Sequence, residues 1–406
     1  MPDPESLKTD FQKILSSKKQ ELYLLLQQLI RIRSYTGEEK QIVEFIIEKM
    51  KSFGFDEAYS DSLGNAVGRI GNGPIKILYD AHIDTVKVTE KENWKYPPFE
   101  GKIVRDKIYG RGAVDEKPAI AGYLTACALL KEQSVKTELP FTIHVVGSVM
   151  EEDIDGHPLL HLIEKEGIRP DYVLLGEPTD LRVYRGQRGR MEMDISVFGK
   201  SAHGAHNQEG INAIYKMMTV VSEIEKLDQS LPVVEPLGKG SITVSQITSQ
   251  APSLCSVPDF ARIHIDRRLT LKEDQDKAVG ELKSILKKTT VKGTIEVPRY
   301  SARSWKGIVA EQEAFFPTWL LEEEHPLVQA GLKTAEIVSG KKSPSGTWSF
   351  STNGVATAGR LGIPTIGFAP GKEELSHSDR EELFLPDLLK ATEFYSLFPF
   401  VLCDSL

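Results

Sequence analysis

Five short acidic or histidine-bearing segments, spread over almost three hundred residues, constrain this chain more than any other feature. They are Tyr79-Asp80-Ala81-His82-Ile83-Asp84, Gly110-Arg111-Gly112-Ala113-Val114-Asp115, Met150-Glu151-Glu152-Asp153, Leu175-Gly176-Glu177-Pro178 and Leu375-Ser376-His377-Ser378. Three of them follow apolar, β-like runs at residues 75–79, 141–149 and 172–175. In an open α/β sheet, the residues just past the carboxyl ends of the strands meet in one crevice. Two imidazoles and four or five carboxylates in one crevice cannot stay unpaired, so the pattern calls for a cation.

The runs between these segments alternate between helix and strand. Residues 21–32 carry Leu22, Leu24, Leu25, Leu26, Leu29 and Ile30, and residues 38–53 carry Ile42, Val43, Phe45, Ile46 and Met50. Both read as amphipathic helices, the second stopped by Gly54. Strands at 65–70 and 76–79 flank the turn Gly71-Asn72-Gly73-Pro74. A helix at 119–130, a buried strand at 141–149, a helix at 158–166 and a strand at 172–175 follow. This grammar predicts an α/β fold with a mixed, mostly parallel sheet sandwiched by helices.

After Asp180 the period changes. Met191, Met193, Ile195 and Val197 alternate with polar residues, as in a half-exposed strand. A helix at 211–227, strands at 241–247 and 260–269 and a helix at 272–287 complete a different pattern, that of a smaller α+β domain inserted into the first. The expected division is 1–180 for the first part of the larger domain, 181–293 for the inserted domain and 294–406 for the second part. The α/β pattern returns at 327–338, 354–361 and 365–368, with a closing helix after Pro386. Residues 311–326, with Phe315-Phe316-Pro317-Thr318-Trp319, are expected to form a covering loop.

With 406 residues, 40% of them hydrophobic, the chain can bury a large core in more than one domain. Its net charge is −8, and no stretch concentrates Lys and Arg with interleaved aromatics, which argues against a nucleic-acid partner. Cys127, Cys255 and Cys403 are isolated and odd in number, and read as buried free thiols in a reducing compartment. The first residues lack the basic and apolar regions of a secretory signal, and no apolar run reaches the roughly eighteen residues that cross a bilayer. A soluble, cytoplasmic protein is expected.

His82 in His82-x-Asp84 suits a metal ligand, with Asp84 available to accept from its other ring nitrogen and fix the tautomer. Asp115, just before a helix, reads equally as an N-cap or as a carboxylate bridging two cations. Glu151 and Glu152 repel each other at a strand end. One of them can bind metal while the other serves as general base, although a solvated acidic turn has the same composition. Glu177 and His377, taken singly, also fit a loop and a surface position. Arg268, in Asp266-Arg267-Arg268, can hold a substrate carboxylate or a structural ion pair.

In their order along the chain, these segments resemble the M20 metallopeptidase and deacylase family, over about residues 20–400. That family includes acetylornithine deacetylase, succinyl-diaminopimelate desuccinylase, aminoacylase and glutamate carboxypeptidase. The resemblance implies a two-zinc catalytic domain interrupted by a lid that makes a homodimer. It implies that His82 and Glu177 hold one zinc, Glu152 and His377 the other, and that Asp115 bridges them. Asp84 would orient His82, and Glu151 would be the general base toward water activated between the zincs. His203, in Ser201-Ala202-His203-Gly204, matches a lid histidine that reaches the partner subunit's site and stabilises the oxyanion. Carboxylate-rich sites also accept Co2+ or Mn2+.

Two positions depart from the family. Cys255 stands where an Asn often contacts the substrate carboxylate, and Thr352-Asn353-Gly354 replaces Thr-Asp-Gly, with Asn353 as a candidate substrate contact. With Phe316-Pro317-Thr318-Trp319 and Ser351-Thr352-Asn353-Gly354, the chain looks closest to a branch of amidohydrolases linked to selenium metabolism in some bacteria. The expected activity is cleavage of an amide bond in a small N-acyl amino acid or peptide-like substrate. The alternatives are a dipeptidase or carboxypeptidase of the same family, and a non-catalytic metal-binding scaffold.

Overall fold

The computed structural model describes residues 3–134 and 138–406. At the centre of the larger sheet, Phe141–Ser148, Ile75–His82, Tyr172–Leu175 and Thr365–Gly367 lie side by side and parallel. From Ile77 onward the Ile75–His82 strand is buried on both faces, as a parallel strand between two helical layers must be. Antiparallel strands close the edges. Ala66–Ile70 and Glu57–Ser60 lie on one side, Tyr184–Gln187 and Trp319–Leu320 on the other. Among the described residues this sheet has nine strands and is mixed, parallel in the middle.

The alternation of side chains across the strands builds two cores. Ile77, Tyr79, Ile143 and Val145 face the layer formed by the helices Pro4–Arg31, Lys117–Ser134, Pro326–Ser339 and Leu385–Ser405. Leu78, Val146 and Val173 face Leu159 and Leu162 of the His157–Glu164 helix, together with Trp319 and Trp348. The first helix begins well before residue 21, where its apolar stripe became legible. Asp3 caps it by accepting from the Ser6 N–H at 3.0 Å, and Leu7, Phe11 and Leu15, four residues apart, are buried. The Phe11 ring packs 6.4 Å from Phe400 of the closing helix. Among the described residues no helix is long and apolar enough to cross a membrane.

A second, smaller sheet carries its own core. Ser241–Gln250, Phe260–Leu269, Gly189–Phe198 and Gly293–Glu296 lie in that order, all antiparallel. Met191, Met193, Ile195 and Val197 point to the helices Ala213–Ser230 and Gln275–Lys288, forming a cluster separate from those of the larger sheet. The expected bounds of 181 and 293 miss the strand pairing at both ends. Tyr184–Gln187 belongs to the larger sheet, while Gly293–Glu296 and Phe315–Phe316 pair with the Gly189–Phe198 strand.

The supposed covering loop at 311–326 is also structured. Its start completes a hairpin of Arg299–Arg303 with Val309–Glu313, and Trp319–Leu320 joins the larger sheet. Aromatic residues next to Pro317 hid two short strands from a reading by period. Cys127 and Cys403 are buried, but Cys255 is exposed, because it sits in the 251–256 loop beyond the end of the smaller sheet.

Candidate metal centre

The parallel strands deliver their following residues to one end of the larger sheet. His82 closes its strand level with Ser148 of the neighbouring strand, and Asp80 lies level with Leu175 of the other. Glu151 and Glu152 therefore follow on one side of His82, and Glu177 on the other. Met150 turns the chain through a left-handed backbone, φ +64°, which a non-glycine residue adopts only when its surroundings hold it there. Those surroundings include Asp84. Its carboxylate accepts from the Glu151 and Glu152 N–H groups, both at 3.2 Å, and from the Thr36 hydroxyl at 2.8 Å.

Asp84 does not orient His82 through its carboxylate, as the sequence suggested. The His82 Nδ1 lies 3.0 Å from the Asp84 backbone carbonyl and 3.7 Å from its nearest carboxylate oxygen. A carbonyl only accepts, so Nδ1 carries a proton, and Nε2, which faces Asp115, is the nitrogen a cation would take in place of its proton. The carboxylate is occupied with the turn that carries the acidic pair.

Asp115 faces both histidines. Its Oδ1 is 2.9 Å from His82 Nε2, and its Oδ2 is 3.1 Å from His377 Nε2. His377 Nε2 is also 3.0 Å from Glu152 Oε2. Two donor groups result. His82, Asp115, Glu116 and Glu177 bring one ligand atom each within 4.8 Å of one another, and so do Asp115, Glu152 and His377. Asp115 is common to both, so all five expected ligands converge.

Glu116 was not anticipated. It sits beside His82, accepting from its N–H at 3.1 Å, and nothing but its place after Asp115 marked it. Glu381, also unanticipated, shapes the loop before Asp115. It accepts from Arg111 Nη1 at 2.9 Å and from the N–H groups of Gly112 at 3.0 Å and of Val114 and Asp115 at 3.1 Å. Gly112, at φ +83°, is the residue that allows this fold-back, and a Cβ there would lie 2.8 Å from Lys117 Cδ. Buried Lys117 donates to the Leu29 and Ile32 carbonyls, and burial pushes its pKa down to about 7.

The electrostatics show charge without enough counter-charge. Burial drives the carboxyl groups of Glu116, Glu151 and Glu177 well above the usual carboxylate range, and neighbouring carboxylates add to this. Burial opposes a charged His82, but Glu116 and Asp115 outweigh it and hold its pKa well up. Hydrogen bonds to Asp115 and Glu152 raise His377 to about 10. Asp115, buried between the two imidazoles that bond to it, stays well below the usual range. One oxygen of Glu151, Oε1, is buried with no hydrogen-bond partner. A donor set of imidazole nitrogens and crowded carboxylate oxygens fits divalent cations, which supply the missing positive charge.

A cavity of about 460 Å3 opens over the centre. Glu151 and Arg268 line it, as expected, with Arg190 and Asp155 beside them. Asn353 does not. Its Oδ1 accepts from the Gly156 N–H at 2.8 Å, and its Nδ2 donates to Asp80 at 2.9 Å and Ser148 at 3.0 Å. Both Nδ2 hydrogens are spent beneath the strand ends and the side chain is buried away from the cavity lining, so the structure does not present it as a substrate contact. His203 lies exposed on the smaller unit with Nδ1 accepting from the Ala205 N–H, and it is not among the cavity's lining residues.

An acid-rich donor set beside a carboxylate with one unpartnered oxygen, at the strand ends of a sandwiched α/β sheet, is the equipment of a metal-dependent hydrolase. Residues 78–399 match the family model described as Peptidase family M20/M25/M40, and the chain belongs to that family. Uncharacterized protein YgeY of Escherichia coli (strain K12) is 41% identical over 374 residues, covering 92% of each chain. A succinyl-diaminopimelate desuccinylase of Orientia tsutsugamushi (strain Ikeda) is 30% identical over 266 residues, 60% of this chain and 68% of its own. Among solved structures, the Bacillus subtilis YXEP protein, described as a dinuclear metal binding peptidase from the M20 family, superposes with a TM-score of 0.72 at 13% identity. That superposition covers 96% of this chain and all of the other.

Proposed function

We propose that this chain is a binuclear, zinc-dependent amidohydrolase acting on a small N-acyl amino acid or peptide-like substrate. The observation that carries the reading is the Asp115 carboxylate, divided between two histidine-bearing donor groups. His82, Asp115 and Glu177 would hold one cation, and Asp115, Glu152 and His377 the other, with Co2+ or Mn2+ as possible substitutes. Two divalent cations supply Lewis acidity toward a carbonyl and lower the pKa of water. Glu151, with Oε1 unpartnered in the cavity wall, takes the proton from the attacking water and returns it to the leaving amine nitrogen. Arg268, already aligned by Asp266 through contacts of 2.8 and 3.1 Å, has its Nη1 left to meet a substrate carboxylate.

We also propose a homodimer in which His203 acts in the partner's cavity, stabilising charge on the carbonyl oxygen. Tyr215, Met218, Ile247 and Leu254 leave apolar surface exposed on the smaller unit, and the Ser241–Gln250 strand is paired on one side among the described residues. Three unpaired cysteines fit a cytoplasmic setting. Glu373 in the cavity lining would suit the ammonium group of a dipeptide, which keeps a dipeptidase as the second reading. A panel of N-acyl amino acids and dipeptides, run on zinc-loaded and chelator-stripped protein, separates the two. Metal-dependent release from the N-acyl compounds is expected, and no turnover of either class with metal bound would revive the non-catalytic scaffold.

A further inference from the structure

The turn carrying Glu151 and Glu152 ends at Asp155, and Asp155 is held from the other sheet. Arg190, on the first strand of the smaller sheet, donates from Nη2 to Asp155 Oδ1 at 2.9 Å, with side chains 22% and 7% exposed. The guanidinium lies over the Phe316 ring, 4.3 Å from its centroid. The hairpin of Arg299–Arg303 with Val309–Glu313 adds a second grip, Gln312 Nε2 donating to the Asp155 carbonyl at 3.1 Å. Tyr300 of the same hairpin donates to Glu192, two residues from Arg190. The hairpin's tip is fixed to the larger unit. Trp305 Nε1 donates to the Gly64 carbonyl at 3.0 Å, and a Cβ on Gly64 would meet that nitrogen at 2.4 Å.

We infer that Arg190 is a positioning residue for the hydrolytic centre: through Asp155 it fixes the turn bearing Glu151 and Glu152, and so ties that turn to the smaller sheet. This rests on the amidohydrolase reading. Arg190 is also a cavity-lining cation one rung across the ladder from Arg268, which invites a different role, direct substrate binding. The two roles have different signatures. A substrate contact acts through KM. A grip on the turn acts through kcat and through the affinity of the cation that Glu152 holds, without changing which substrates fit.

The test is Arg190→Gln, Asp155→Asn and the double variant, with Gln312→Ala as a milder loosening of the same turn should the buried-pair variants fail to fold. Zinc titration of the stripped proteins is the readout independent of turnover. Weakening of one of two bound cations by about tenfold or more is expected for Arg190→Gln. On the fastest-cleaved member of the substrate panel at saturating zinc, kcat should fall at least about tenfold with KM within about threefold. The double variant should be no worse than the poorer single, because both remove one interaction. Gln312→Ala should move both readouts the same way by less. A raised KM with unchanged kcat and zinc affinity, or multiplying effects in the double variant, would overturn the inference. If the wild-type protein binds no zinc, the amidohydrolase reading fails instead.

Discussion

Two regions of this molecule are crowded with charge, and they are built on opposite principles. At the strand ends of the larger sheet, Asp115, Glu116, Glu151, Glu152 and Glu177 share two imidazoles. On the polar face of the smaller sheet, carboxylates sit beside cationic or imidazole side chains of the same or a neighbouring strand. Asp266 bonds Arg268, and Asp194 bonds both Arg262 and His264, whose other nitrogen is 3.3 Å from Glu192. In the first region burial raises the pKa of Glu116, Glu151 and Glu177, and the second settles its charges within and across neighbouring strands. Unbalanced buried charge marks a place where something must bind, whereas balanced charge marks structure.

The largest effect expected from this contrast is at Glu151. Glu151→Gln should cut kcat by roughly a hundred- to ten-thousand-fold and leave bound metal in place. Loss of metal along with activity would make Glu151 a ligand and not the base. Next comes a buried pair of the balanced kind. Arg267, 1% exposed, bonds Glu273 at 2.7 Å and reaches Glu281 at 3.2 Å. Arg267→Met should destabilise the protein by about 3–5 kcal/mol, because it strands a buried carboxylate. Zinc affinity should hardly change, and equal damage to both readouts would erase the distinction between the regions.

Asp84→Asn should weaken metal binding by roughly ten- to a hundredfold, since an amide holds the Glu151–Glu152 turn less firmly than two carboxylate oxygens do. Unchanged affinity would show that the turn holds itself. The smallest effect is expected at Asp266→Asn. This pair is about a third exposed, so unfolding free energy should change by less than about 1 kcal/mol.

A pH series sharpens the same comparison. In the metal-free chain, burial pushes Asp80 and Asp84 up to about 6 and Glu39 up to about 8. An unfolded carboxyl titrates near about 4. Between those values the folded chain holds more protons than the unfolded one, so stability falls as pH rises from about 4 toward 8. His82 and His377, both held up, add a term of the same sign, present in full below about 6.5 and lost progressively as pH rises above it, for His377 toward about 10. Bound cations displace those protons, so loading should stabilise more at pH 8 than at pH 5. Thermal melts of loaded and stripped protein should diverge with rising pH, and parallel curves would contradict the account.

Much of the centre was legible in the sequence because strand period and strand order are strong signals. His82, Glu152 and Glu177 follow apolar runs, and a parallel sheet brings such residues together whatever lies between them. The residues that hold the candidate ligands were not legible. Glu381 acts on Asp115 across more than two hundred and fifty residues, and no spacing announces such a contact. Asp84 carried a familiar pattern, yet its carboxylate grips a turn while its carbonyl holds the histidine. The Asp155–Arg190 pair joins two sheets, so neither residue means anything alone. Residues 4–20 failed for a simpler reason. Lys and Ser dilute an apolar stripe that repeats only every fourth residue.

The most direct measurement is metal content per chain in protein purified without chelator, compared with Asp115→Asn prepared alongside. About two divalent cations in the wild type, with both sites lost or weakened together in the variant, is the expected result, because Asp115 serves both donor groups. No tightly held metal even after reconstitution would contradict the central claim, and so would a variant that keeps its full complement.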